Sequence, residues 1–442
     1  MTEPAINAPR FDAAPRPATH HTPGERAAWL VILIPLAAVT LRFVSDSDAL
    51  RGLGVTLACA LAAVALWFTR PRDTPLRLPH KAPHLWMLAL AGVITAYGLL
   101  MGLIAGNDGY YLAAGAYHWA VELMAIALLA SVAAHRLGPA GTLRLVAVLG
   151  LALALVSLAG VIGAHLGLVE HGGHFVGRQD RLWRLEAGMA FPLVLMLYVI
   201  AALSLGDAPR PWRPLLLVAT LLLAIVLLVT LKRAMWLSLI VGLLVLWLPA
   251  PRARWLAVWA SLLAAAAVTY VIIDASRVFA VVDFLTYNPD YRVVDTIADR
   301  SQQLADVWAY VVAQPFGHGF GAEFFTYVPG RDARVDVHYI HSIYVTYLLQ
   351  LGLPATVLAV QLWYAFSMRV VRSIGRHAPW DWVLRATLAS LIVIALNGII
   401  LNATHTVWAG LTIGLGAAAI TASRRTTTPS PASSETQPHA PR

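Results

Sequence analysis

Long apolar runs with few or no charges recur along this chain, for example over residues 84–105, 143–169 and 405–423. A run of about 20 such residues, rising ~1.5 Å each as a helix, matches the ~30 Å of hydrocarbon in a bilayer. Composition agrees: 59% of residues are hydrophobic, 12% are charged and the mean hydropathy is +0.69, too apolar for a water-soluble domain. The expectation is an all-α polytopic membrane protein with about 12 transmembrane helices. The spans fall near 27–44, 52–69, 84–105, 112–134, 143–169, 186–205, 214–231, 234–249, 254–273, 354–373, 381–401 and 405–423.

Charge placement orients these spans. Arg70, Arg72, Arg77 and Lys81 share one connection, Arg210 and Arg213 another, and Arg369, Arg372 and Arg376 a third, whereas the connections around Asn107 and near Asn402 carry no Lys or Arg. The positive-inside rule then places the N-terminus in the cytoplasm, and an even number of spans returns the C-terminus there beside Arg424 and Arg425. Residues 1–26 and 424–442, rich in Pro, Ala, Thr and Ser, are expected as disordered cytoplasmic tails. Between them lie transmembrane helices 1–9 (27–273), a helical periplasmic region (274–353) and transmembrane helices 10–12 (354–423). Such a chain would sit in a bacterial inner membrane. No cleavable signal peptide is recognisable. The net charge of +9 is divided between two membrane faces without a basic stripe, so no nucleic-acid partner is expected, and the single cysteine, Cys59, forms no disulfide within the chain.

Three outer loops break the charge rule. One holds Arg178, Arg181 and Arg184, a second Lys232 and Arg233, and the long third Arg277, Arg292, Arg300, Arg331 and Arg334. Cations on the side that topology disfavours point to an anionic, phosphorylated ligand at the outer face. For the first trio, spacing of three gives one face if the segment is helical, and anchoring to membrane lipid headgroups is the competing reading.

Region 274–353 is the natural place for chemistry. Ile297, Arg300, Leu304, Val307 and Val311 follow helical spacing, with Asp299, Gln303 and Asp306 on the opposite face, so Arg300 falls in an apolar stripe and needs an anionic partner. Gly317-His318-Gly319-Phe320-Gly321 reads as a flexible, helix-terminating turn; it lacks the Lys and strand context of a P-loop. A second helix is expected from Asp336 or His338 to Gln350, with His338 and His341 on one face. Their spacing is not that of a zinc-protease helix, and neither a metal nor another cofactor is expected. A site outside the cytoplasm has no ATP and needs a substrate that already carries a leaving group. Arginines suit a departing diphosphate, and a neutral histidine can take the proton of an attacking hydroxyl.

His341-Ser342, nine residues, then Gly352 resembles a motif of the O-antigen ligase family and of related O-antigen polymerase-like proteins. Arg300, Trp308 and Pro315-Phe316-Gly317-His318-Gly319-Phe320-Gly321 are similar to the segment preceding it, and Leu231-Lys232-Arg233-Ala234-Met235-Trp236 to the family's short outer turn. Two positions depart from the pattern: Ala355 stands three residues after the motif glycine, where Gly, Thr or Tyr is frequent, and His338 stands three rather than two residues before His341.

The resemblance implies a nucleotide-independent, inverting glycosyltransferase that moves a preassembled glycan from undecaprenyl diphosphate to the lipid A–core oligosaccharide at the periplasmic face. His341 would be the base, with Arg300 and Arg233 holding the diphosphate. Topology adds Arg178, Arg181, Arg184 and Lys232 as diphosphate contacts, and His338 is a supporting candidate. An O-antigen polymerase or protein O-oligosaccharyltransferase would share the donor. A secondary transporter is the competing class, suggested by Glu122 inside a span with Tyr117 and His118 near it.

Overall fold

A computed structural model of the chain describes residues 22–44, 48–69, 83–166, 176–179, 182–185, 191–205, 210–230, 233–247, 305–328, 333–337, 342–376, 378–398 and 406–425. Helix α1 (Pro23–Trp29) opens with a capping box in which the Thr22 hydroxyl accepts from the Glu25 N–H and the Glu25 carboxylate from the Thr22 N–H. A 3-10 turn continues it into α2 (Leu33–Val44). Next come α3 (Asp48–Phe68), α4 (Pro83–Ala105) and α5 (Gly109–Tyr117), capped by the Asp108 carboxylate on the Tyr110 and Tyr111 N–H groups. A π-helical segment, His118–Ala125, joins α5 to α6 (Ile126–His165), which breaks at Gly138 (φ 67°) before Pro139.

Helices α7 (Phe191–Leu205), α8 (Arg213–Val229) and α9 (Arg233–Trp247) follow. Beyond them lie α10 over 305–313, the long α11 (Ile343–Ser373), α12 (Ala378–Gly398) and α13 (Thr406–Arg425). Among the described residues seven helices are long and apolar enough to cross a membrane, one of them the 56-residue stretch Gly109–Ala164 that turns at Gly138. The chain is a multi-pass membrane protein. Seven is fewer than the 12 read from sequence: α7, α8 and α9 are only 15, 17 and 15 residues long, and 254–273 lies outside the described residues.

Burial sorts the helices by composition. Helix α7 is apolar all round and lies at the centre, with Leu193 through Ala202 at 0% exposure, packed by α6, α8, α9 and α12. Helix α3 is peripheral: Leu53, Leu57 and Leu61 form an exposed apolar stripe, the pattern of a surface turned to lipid.

Two antiparallel hairpins correct the all-helical expectation for the loops. Strands β1 (Val176–Gln179) and β2 (Leu182–Leu185) pair Arg178 with Trp183 and Gly177 with Arg184. Arg178 and Arg184 therefore sit on paired strands and not on one helical face; the short alternating segments on either side of Asp180-Arg181 favour a hairpin. Strands β3 (Phe324–Val328) and β4 (Ala333–Val337) occupy ground expected to be helical or loop. The aromatic run Phe324-Phe325 and the alternation in Ala333-Arg334-Val335-Asp336-Val337 suit a pleated ribbon. The helix expected from Asp336 or His338 accordingly starts later, at Ile343, with Ser342 in extended conformation as its N-cap.

Candidate active site

The glycine run after α10 is the best-defined part of the site. Gly317, Gly319 and Gly321 have φ of 87°, 80° and 76°, and Gly352 has 71°, all in the left-handed region that L side chains rarely adopt. Close backbone approach requires glycine there as well. A Cβ on Gly319 would lie 1.9 Å from the Gly102 nitrogen, one on Gly317 2.4 Å from the Gly352 nitrogen, and one on Gly352 2.2 Å from the Phe316 carbonyl carbon.

Hydrogen bonds pin this run on both sides. The N–H groups of His318 and Gly319 donate to the carbonyls of Leu349 and Gln350 (2.9 and 2.8 Å), Phe320 N–H to Gly98 O (2.9 Å) and Leu353 N–H to Pro315 O (2.8 Å). Asn107 Nδ2 donates to His318 O and Phe320 O, each at 2.8 Å, and the Tyr97 hydroxyl donates to Phe316 O. Sequence suggested a flexible turn; the chain instead forms a wedge locked between α4, α5 and α11. Its tip is Phe320, fully buried in a socket whose walls are Gly98 and Gly102 of α4 and Gly115 of α5. Small residues spaced four apart on α4 let the backbone come that close.

The wedge explains the break in α11. At Gly352 the helix leaves helical geometry, and Pro354 removes a donor that would have continued it. The turns before the break, Ile343 to Leu351, form a short arm whose far end abuts the wedge. Its near end begins at Ser342, the neighbour of His341. There the Ser342 hydroxyl donates to Gly398 O (3.5 Å) and the Tyr344 hydroxyl to Ala395 O (2.9 Å), tying the arm to the end of α12. Helix α9, which Arg233 opens, packs on that same α12.

The remaining sequence candidates stand as follows. Val307 and Val311 of the expected stripe are buried, and the Asp306 carboxylate accepts from the Thr326 hydroxyl (2.8 Å), joining α10 to the β3–β4 hairpin. Arg300, His338, His341, Lys232 and Arg181 lie outside the described residues, and Arg178, Arg184 and Arg233 are placed only by their backbones.

Under the arm lies an apolar cavity of about 200 Å³, lined by residues including Trp119, Leu123, Ile343, Tyr347, Trp363 and Thr406. Beside it sits a group of charges of which sequence showed only half. Glu122, 1% exposed, accepts from Arg51 Nη2 (3.4 Å), from the Thr406 hydroxyl and, at 2.7 Å, hydrogen-bonds His118 Nδ1. The expected neighbourhood of Glu122 and His118 is present, and Arg51 of α3 and Thr406 of α13 complete it. Arg51 was legible by the rule that singled out the other arginines, since the topology expected from sequence puts it on the same side as they are.

Residues 218–360 match the O-antigen ligase family. The matched stretch runs from α8 through the wedge, both hairpin strands β3 and β4, and the arm past Gly352. It contains the arginine, glycine and histidine motifs on which the resemblance was read. No match is found among curated proteins.

Proposed function

We propose that this protein is a glycosyltransferase of the O-antigen ligase type, acting at the periplasmic face of a bacterial inner membrane through about 12 spans with both termini cytoplasmic. It takes a preassembled glycan from undecaprenyl diphosphate and joins it to lipid A–core. The observation that carries the reading is the family match over 218–360, within which the family-like glycines lock the arm that begins beside His341. The apolar cavity under the arm adds support, because a donor with a hydrocarbon tail and a charged head needs an apolar chamber next to a polar site.

In this reading His341 accepts the proton of the acceptor hydroxyl as its oxygen bonds to the anomeric carbon. The bond from that carbon to the diphosphate oxygen breaks on the opposite side, which inverts the centre. Negative charge grows on the leaving diphosphate, and the guanidinium groups of Arg300 and Arg233 stabilise it, with Arg178, Arg181, Arg184 and Lys232 as further cations. His338 supports the base. The reaction uses neither nucleotide nor metal.

The test is purified protein in liposomes with lipid-linked glycan and lipid A–core and no nucleotide. Glycan on lipid A–core supports the ligase. Extension of the lipid-linked glycan itself identifies a polymerase, and transfer to an added protein an O-oligosaccharyltransferase. The buried Glu122 charge favours one other reading, an ion-coupled transporter, for which solute uptake without any glycan transfer would be the result.

A further inference from the structure

A carboxylate this deeply buried is costly unless charge and hydrogen bonds compensate it, and Glu122 has both, drawn from three separate parts of the chain. Arg51 comes from the start of α3, His118 from the π-helical segment and Thr406 from the first residue of α13. The π-helical segment is itself a departure from the α-helix of a kind frequent at functional sites. It brings His118 and Glu122 together on one side. On another side it presents Trp119, whose ring centroid lies 5.2 Å from that of Tyr347 on the arm. Helix α13 packs tightly on the same segment: a Cβ on Gly410 would lie 2.4 Å from Glu122 O. Trp119, Tyr347 and Thr406 also share the cavity wall with Ile343, the first residue of the arm.

Contact thus runs from Trp119, on the same segment as Glu122, to Tyr347 of the arm, while Thr406, which donates to Glu122, lines one cavity with Ile343 at the start of the arm, next to its cap Ser342. His341 is the next residue. We propose that Glu122 is a positioning residue for the transfer: with Arg51, His118 and Thr406 it fixes the frame on which the arm, Ser342 to Leu351, rests. The catalytic role of His341 rests on the function proposed above, whereas the mechanical link from Glu122 to the arm does not.

The test compares Glu122→Gln with the double variant Arg51→Gln/Glu122→Gln. The single variant removes one charge of the buried Arg51–Glu122 pair and lowers the melting temperature; the double variant removes both charges and restores stability to within about 3 °C of the parent. If Glu122 positions the arm, the double variant at normal stability still loses about 100-fold in kcat, the scale of a misplacement of roughly 1 Å. Its KM for donor and acceptor stays within about twofold. Recovery of kcat together with melting temperature would make the cluster a structural tie and overturn the proposal.

A second measurement does not depend on transfer. Cys59 is the only cysteine, so Cys59→Ala with Ser342→Cys accepts a single nitroxide label at the start of the arm. The proposal expects greater label mobility in the double variant than in its parent, and equal mobility would overturn it. Should the parent transfer no glycan while the label still loosens, the function proposed above fails and the mechanical link stands.

Discussion

The Gly319 backbone rests on the Gly102 backbone so closely that a Cβ on Gly319 would lie 1.9 Å from the Gly102 nitrogen. The motif loop and α4 are in contact with no side chain between them, and the rest of the wedge is built around that contact.

Gly319→Ala therefore meets both a φ of 80° and a backbone collision. We expect it to destabilise by about 3 kcal/mol or more, read as a fall in melting temperature in detergent. Gly106 supplies the control: its φ is 70° but nothing lies within 4 Å of a Cβ there, so Gly106→Ala should cost only about 1 kcal/mol. Equal losses at the two sites would show that the close approach contributes nothing.

Asn107 donates to two carbonyls of the wedge from one amide nitrogen. Asn107→Ala should lose about 1–2 kcal/mol for the missing bonds. Asn107→Asp should be worse than alanine at neutral pH despite its nearly identical shape, because it points an acceptor, and a charge, at two carbonyl oxygens. Thermal melts of the two variants decide; an aspartate variant as stable as wild type would mean that the Asn107 amide does not hold these carbonyls.

For His341→Ala, glycan transfer should fall by at least about 100-fold while the melting temperature stays within about 3 °C of wild type. Residual transfer near the wild-type rate would remove this imidazole from the mechanism.

Arg300→Lys keeps a positive charge but replaces a planar fork by a single ammonium. Transfer should drop by about tenfold or more, chiefly in kcat if the contact strengthens as the diphosphate departs. Unchanged kinetics would assign Arg300 a general electrostatic part only.

The membrane class was legible because it depends on segment length and polarity alone, properties each stretch carries without reference to any other. The same holds for the boundaries of α3, α4, α12 and α13, which fall within a few residues of the spans read from sequence. The loop readings fared less well. Arg178, Arg181 and Arg184 at spacing three fit a helix on paper, but segments as short as Val176–Gln179 and Leu182–Leu185 gain more by pairing with each other than by forming a single turn alone. The late start of α11 has a similar origin: Val335 and Val337 satisfy a strand opposite Thr326 and Phe324 once β3 is there to receive them.

By itself, then, the sequence determined that the chain crosses a membrane repeatedly and which short motifs stand out from that background, because hydrophobic length and residue type are local. Only the tertiary structure decided what the motifs do to one another. Gly98, Gly102 and Gly115 become a socket only when Phe320 arrives from more than two hundred residues away. Glu122 becomes a paired carboxylate only when Arg51 and Thr406 converge on it from other helices. Neither effect leaves a trace in local periodicity, because the energy of a close backbone contact or a buried charge depends on the partner brought to it and not on its neighbours in the chain.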